Sequence, residues 1–340
     1  MGSTLLIFVF GAFFGLILQY AGLNRYNTIS GQALLKNNTV VKTILVAIGL
    51  GAILLSITTG LGLSQFHVKP FITGGLIFGG LIFGAGMAIL GYCPGTMAVS
   101  LGEGSMDALI GIIGGLFGGL VFTLVLPAIK PVLGPDLGKL SAYTLAGSFS
   151  FIYYLMVIVI GLLIIYAAFY IHLKEKSVDK KWIYAGVALA LLDVIVFLSA
   201  TTNRPIGAST SYPWLADAVT GLTNNNYFQK ISTPGSWEAI FLLGAMVAAF
   251  IGSLIKGDFK LILVHDNWKK YKNNAAGSRA IWAFVGGFIL IFGARMAGGC
   301  TSGHVISGGI QMAFSSFTFG IFMFMGLIIT GKVFFNTKVD

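Results

Sequence analysis

Apolar residues in this chain come in long blocks, not in the stripes of surface helices or the alternation of strands. Nine blocks approach the roughly 20 residues needed to cross a bilayer, at about 4–20, 42–62, 70–90, 106–126, 147–171, 182–201, 237–255, 279–298 and 314–331. Between several of them lie polar, glycine-rich pieces at 23–35, 91–102, 205–220 and 299–312. Each is too apolar for a free loop and too short to cross. Such pieces are expected to be broken or re-entrant half-helices, which a membrane protein tolerates where the backbone lines an enclosed cavity.

Composition supports that reading. The 340 residues are 56% hydrophobic and 9% charged, against about 25% charged in soluble domains. The expected fold is therefore an all-α polytopic membrane protein forming one transmembrane domain over 1–340. The 47 glycines point to close helix approach and interrupted helices. "MGSTLLIFVFGAFFGLILQY" lacks a basic leader and a small-x-small cleavage site, so it is expected to be a retained first span; with Leu6 at its sixth position it also misses the myristoylation pattern. The net charge of +10 needs no nucleic acid, because basic loops mark the cytoplasmic side of membrane proteins. With nine spans the termini lie on opposite sides. The connections on the C-terminal side hold fifteen Lys and Arg against five on the other, leaving out Arg295 within a span. An inner-membrane protein with its N-terminus outside and its C-terminus cytoplasmic is expected.

The blocks also repeat. Spans 1–4 run helix, broken piece, helix, helix, broken piece with cysteine, helix; spans 6–9 run the same way. "FGAGMAILGYCPGT" at 83–96 matches "FGARMAGGCTSGH" at 292–304, each passing through Met and Ala into Gly-x-Cys. Residues 1–126 and 182–331 are read as two repeats, with 147–171 as a linking span. Four spans plus a linker invert the second repeat, the plan of transporters whose sites sit on discontinuous helices near the midplane.

Both cysteines lie in these breaks. In "GYCPGT", Gly91 and Gly95 let the backbone turn and leave room above Cys93, while Pro94 can open an outgoing half-helix with Thr96 in its first turn. The helix start would present N–H groups to a thiolate or an anion. In "GGCTSGH", Gly299 and Gly303 flank Cys300, and Thr301, Ser302 and His304 are hydrogen-bond donors. The bland alternative, small buried thiols beside helix kinks, explains either motif alone better than two at matching places in a repeat. Papain-like catalysis lacks an orienting Asn or Asp and a water path. A closed zinc site lacks ligands. No catalytic, metal or cofactor site is expected.

The other broken pieces, "AGLNRYNTISG" and "TNRPIGASTSYP", share Asn-Arg and hydroxyls. Arg25 and Arg204 are candidate gate residues that would draw anions to each mouth, with snorkelling at a span end as the alternative. Arg295, within span 8, needs a partner or a cavity; Glu103, Asp107 and Asp193 are its possible carboxylates. The run "KKYKNNAAGSR" (269–279) reads as a solvated cytoplasmic loop. "GxxxxGK[ST]" is missing, which argues against a primary pump.

At "GYCPGT" with "LGEGSMDALIG", and at "GARMAGGCTSGH", the chain resembles the YeeE/YedE sulfur-transport membrane proteins, which include thiosulfate uptake transporters. The resemblance covers nearly the whole chain. It implies a bundle with central cysteines along a narrow path, where Cys93 and Cys300 pass a small sulfur anion, thiosulfate first, through S–H···S contacts. Thiosulfate members commonly carry a further cysteine in the first broken segment; "GLNRYN" has none, and Asn24, Tyr26 or Asn27 would supply a weaker donor. The family also includes proteins linked to selenium and other sulfur species. The rival readings are a membrane sulfurtransferase forming a cysteine persulfide, and a membrane partner delivering sulfur to a cytoplasmic protein through the basic 256–279 loop.

Overall fold

A computed structural model describes residues 3–175 and 177–335. Met1 and Gly2 of the expected first span lie outside the described residues, as do Lys176 and Lys338 of the basic count. The chain is all-helical: α1 (Thr4–Ala21), α2 (Tyr26–Ala33), α3 (Thr39–Gly60), α4 (Thr73–Leu90), α5 (Pro94–Gly102), α6 (Met106–Leu133), α7 (Ala142–Ala146), α8 (Phe151–Glu175), α9 (Lys181–Phe197), α10 (Ser211–Thr220), α11 (Asn226–Lys256), α12 (Asp266–Tyr271), α13 (Ala276–Ala297), one π-helical turn (Thr301–Ile306), and α14 (Phe314–Phe335).

Eight of these helices are long and apolar enough to cross a membrane. The ninth expected span is α9, whose 17 residues rise only about 26 Å, just short of a typical hydrocarbon core. Its C-terminal end stops at Leu198, where the Thr201 and Thr202 hydroxyls donate to carbonyls at 195, 196 and 198 and close the last turn. Two helices overrun their apolar blocks. Helix α6 continues through Pro127 and Pro131, and α11 starts eleven residues before Trp237 and includes Pro234. In each case the extension lies at the outer end of the block, where polar and proline residues cost little.

Helix α4 forms the centre, packed along α13 and α14; α13 also packs on α6, α1 on α11, and α3 on α8 and α9. The crossings are close because glycines replace side chains. A Cβ at Gly287 would lie 2.0 Å from the Gly111 carbonyl oxygen, and one at Gly79 would lie 2.6 Å from the Ala297 nitrogen. Between helices in lipid there is little hydrophobic gain, so such contact supplies much of the packing energy. Helix α8 is the least buried of the eight long helices and leans on α3.

The four broken segments form differently from one another. Residues 26–33 and 94–102 are half-helices. In 205–220 only α10 is helical; Pro205 disfavours helix at Arg204 and Gly207 sits under the Glu238 side chain. Residues 299–312 hold a single π turn followed by irregular turns, a geometry that recurs at functional sites.

Candidate functional site

Two helix breaks build the centre of the protein, and they use the same local device. Helix α4 ends at Leu90 with Gly91 in the left-handed region (φ 80°), and α13 ends at Ala297 with Gly298 there too (φ 76°). Two residues later the chain is extended at Cys93 and at Cys300, and a new turn starts immediately afterwards. A side chain in place of Gly91 would be strained, and its Cβ would lie 2.2 Å from the Tyr26 ring.

Cys93 caps α5, with Pro94 in the first helical position and the Gly95 and Thr96 amides facing its sulfur. The Cys93 N–H donates to Thr96 Oγ1 at 2.7 Å, and the Thr96 hydroxyl returns a bond to the Cys93 carbonyl at 3.1 Å. Tyr212 O–H donates to the Pro94 carbonyl at 3.1 Å, and Phe14 and Ala208 pack over Gly95. Cys300 Sγ lies 3.3 Å from Ser302 Oγ. Both thiols are free and buried.

Cys93, Thr96, Thr301 and Ser302 meet around one cavity of about 40 Å³, whose other walls include Phe14, Leu18, Ile44 and Met87. Cys300 joins it through Ser302. The Thr301 hydroxyl is buried there without a hydrogen-bond partner, so the cavity holds an unused donor. No charged residue lines it. Among the described residues no group of three His, Cys, Asp or Glu side chains could hold a metal ion.

His304 stands apart from the cavity. Its Nε2 lies 2.8 Å from the Ala297 carbonyl, its Nδ1 3.2 Å from Ser316 Oγ, and its ring stacks on Phe319. The carbonyl requires the proton on Nε2, so the imidazole is a fixed brace tying the π turn to the end of α13. Gly299 leaves room for this ring, and Gly299 and Gly303 leave room for an amine that the sequence reading missed. Lys69 Nζ donates to the Gly298 carbonyl at 2.7 Å, and a Cβ at Gly299 would lie 2.1 Å from it.

Lys69 lies near Arg295, Arg204 and Glu238 in one charged cluster on the face where α1 begins. Arg295 donates to Tyr227 Oη at 2.7 Å and to Thr210 Oγ1 at 3.0 Å. Its partners are thus neutral oxygens, and none of the carboxylates considered from sequence pairs with it. Asp107 lies near the other end of α13, sixteen residues away at Arg279, about 24 Å along a helix. Glu103 accepts from Asn24, and Asp193 Oδ1 lies 2.9 Å from Ser307 Oγ. Arg204 lies with its guanidinium 4.4 Å from the Trp237 ring centroid. Glu238 in the same region accepts from the Thr210 N–H.

The opposite face holds a network built on Arg279, which the sequence reading placed in the basic loop. Arg279 is fully buried. It donates to Asp107 through Nε at 3.0 Å and Nη2 at 2.6 Å, and to the last carbonyls of α4 at Ile89 and Leu90. Asp107 also accepts from Tyr92 Oη at 3.1 Å and lies 3.0 Å from His265 Nε2. The Arg279 guanidinium covers the rings of Tyr26 and Trp268. Thus an ion pair fixes the end of α4 just before Gly91 and Cys93. A carboxylate opening span 4 and an arginine opening span 8 were the available signal.

Of the residues expected on the path here, Asn24 turns towards Glu103, at 2.8 Å, and the candidate gate residue Arg25 is exposed. Arg25, Tyr26, Asn27, Glu103, Lys260 and His265 line a polar cavity of about 240 Å³. Asn27 is engaged by the Asn267 backbone and side chain, whereas the buried Tyr26 hydroxyl has no partner.

Comparison with known proteins agrees with this architecture. TsuA, a thiosulfate transporter of Spirochaeta thermophila, is 28% identical over 331 residues, covering 93% of this chain and 94% of the relative. Eight apolar helices of spanning length agree with a multi-pass membrane protein. The model of the sulphur transport family matches residues 26–329, and the chain belongs to that family.

Proposed function

We propose that this protein imports thiosulfate across the inner membrane, with the face where α1 begins outside and the C-terminus in the cytoplasm. The observation that carries the reading is the central cavity. Two helix breaks bring Cys93, Thr301, Ser302 and, through Ser302, Cys300 to one buried, uncharged space between a cationic mouth and a polar inner cavity. The similarity to a thiosulfate transporter over 93% of the chain supports the substrate. The positive-inside count supports the orientation.

In this mechanism Lys69, Arg204 and Arg295 draw the dianion into the outer mouth. The thiols then replace water as soft hydrogen-bond partners for its terminal sulfur, while the Thr301 hydroxyl and the Gly95 and Thr96 amides serve its oxygens. Sulfate presents only oxygens and gains less from the thiols. Tyr26 lies in the first broken segment, where thiosulfate members commonly carry another cysteine, and its free hydroxyl is the donor on the inner side. The two halves are inverted repeats: α1 on α11 mirrors α9 on α3, and α4 on α14 mirrors α13 on α6. The protein acts as a transporter and not as an enzyme. A cytoplasmic sulfur-handling protein would receive the product at the inner face.

Uptake of labelled thiosulfate into proteoliposomes tests the reading. Cys93→Ala and Cys300→Ala are expected to insert normally and lose uptake, and wild type is expected to leave no persulfide mass on either cysteine after turnover. Full uptake by the double variant would overturn the thiol path. A persulfide that accumulates with substrate would favour group transfer.

A further inference from the structure

Asp193 lies within α9, is fully buried, and takes no part in the path described above. Its surroundings are neutral. Oδ1 lies 2.9 Å from Ser307 Oγ, the Ile206 backbone lies beside it, and Oδ2 has no hydrogen-bond partner. Among the described residues no Lys, Arg or His forms an ion pair with it. The charged and titratable groups on the elements packed around α9 are engaged elsewhere: Lys42 with Glu175, Lys181 over Tyr20, Arg204 over Trp237, His304 with Ala297 and Ser316. A bare carboxylate in such a place loses its hydration with no countercharge in return.

The hydrogen inventory points the same way. Ser307 Oγ is within reach of both Asp193 Oδ1, at 2.9 Å, and the Ile206 carbonyl, at 3.2 Å. A hydroxyl has one proton to donate, so with an ionised Asp193 one of these acceptors goes without it. With a proton on Asp193 the chain closes: the carboxyl O–H donates to Ser307 Oγ, and the Ser307 O–H donates to Ile206. That chain ties α9 to both broken segments of the second half. Ile206 adjoins Gly207 and Ala208, and Ala208 packs over Gly95 beside Cys93.

We propose that Asp193 is a proton-binding site, taking a proton from the outer water and releasing it to the cytoplasm as thiosulfate enters, so that the protein is a proton–anion symporter. The proposal rests on the thiosulfate reading for its cargo, and the charge balance favours it. A dianion entering a cell with a negative interior works against the membrane potential with two charges, and each accompanying proton removes one. In the present arrangement the site is protonated and closed. Separation of the 202–210 and 299–312 segments during the transport cycle would open Ser307 and Asp193 to water.

Two measurements test this, and they fail independently. Infrared spectra of the protein in lipid near neutral pH should contain the C=O stretch of a buried carboxylic acid that Asp193→Asn lacks. If the two spectra do not differ, the proton site is overturned whether or not thiosulfate moves. Should Asp193→Asn not insert, Ser307→Ala keeps the acid but removes its acceptor; an unchanged band frequency then overturns the assignment. In proteoliposomes, an outside-acid gradient of one pH unit should raise thiosulfate accumulation by about tenfold per coupled proton and acidify a dye inside. Asp193→Asn should lose both responses and Asp193→Glu should keep them. Wild-type uptake indifferent to the gradient overturns the symport. Absence of uptake under every gradient overturns the thiosulfate reading and the symport with it, while the infrared band still decides whether Asp193 holds a proton.

Discussion

Replacing Arg279 by Met removes the pair that fixes the end of α4, and the cost can be worked from its contacts. The guanidinium and Asp107 are both fully buried, joined by two charge-assisted hydrogen bonds, and the same group serves the Ile89 and Leu90 carbonyls. Hydrogen bonds to a charged group contribute about 1.5–3 kcal/mol each. Breaking a buried pair from one side costs about 3–5 kcal/mol, because the partner charge is stranded. Asp107 keeps Tyr92 and His265 as neighbours, so Arg279→Met should cost about 4 kcal/mol and Asp107→Leu a similar amount. The double variant strands no charge. It should cost no more than either single change, so the coupling is about 4 kcal/mol, above the roughly 0.5–3 kcal/mol of ordinary contacting pairs because each single change strands a full buried charge. Unfolding in mixed micelles gives these values, read by tryptophan fluorescence; Trp268 lies directly against the guanidinium. Uptake by folded Arg279→Met should also fall, because the Gly91–Cys93 break loses its anchor. Additive single and double changes, agreeing within about 0.5 kcal/mol, would refute this account of the network.

Two further outcomes follow from the path. Tyr26→Phe keeps the ring against Gly91 and Arg279 but removes the free hydroxyl; it should slow initial uptake by roughly three- to tenfold, the worth of one hydrogen bond, and an unchanged rate would remove Tyr26 from the path. Burial lowers Lys69 to about 8, so its ammonium is intact below that pH and lost above it. Uptake at equal pH on both sides should therefore fall more steeply through that value in wild type than in Lys69→Arg, which keeps only the decline due to the coupled proton, whereas identical alkaline limbs would show that Lys69 does not hold the anion.

Much of the fold was legible because lipid imposes a simple rule: a crossing segment must be apolar and must satisfy its own backbone. Eight of the nine apolar blocks are helices of spanning length, and the ninth is α9. The cysteine breaks were legible for a related reason, since Gly-x-Cys after a long helix states both a left-handed residue and a new start. What hydropathy hid was charge at the ends of spans. Arg279 and Lys69 look like the solvated lysines beside them, yet one is buried under Trp268 and the other reaches Gly298. Side-chain reach, not sequence position, decides which basic residue is structural. His304, expected on the path from its place in "GGCTSGH", has both ring nitrogens engaged by the protein itself, a bracing that sequence position alone does not reveal.

The distribution of charge along the proposed path gives the two thiols a physical reason there. Arginine and lysine occupy the mouths: Lys69, Arg204 and Arg295 at one end, Arg25 and Lys260 at the other. The central cavity between them has no charged lining residue. A cation at the centre would hold a dianion strongly, since two opposite unit charges 4 Å apart attract by about 4 kcal/mol even at an effective dielectric constant of 20, and a double charge doubles that. Each kcal/mol of extra binding slows departure, so a conducting site must be attractive enough to enter and weak enough to leave. Neutral thiols, hydroxyls and helix-start amides meet both conditions, and they can tell a terminal sulfur from a terminal oxygen. On the proposed thiosulfate path, selectivity would therefore reside in the uncharged middle and capture in the charged mouths.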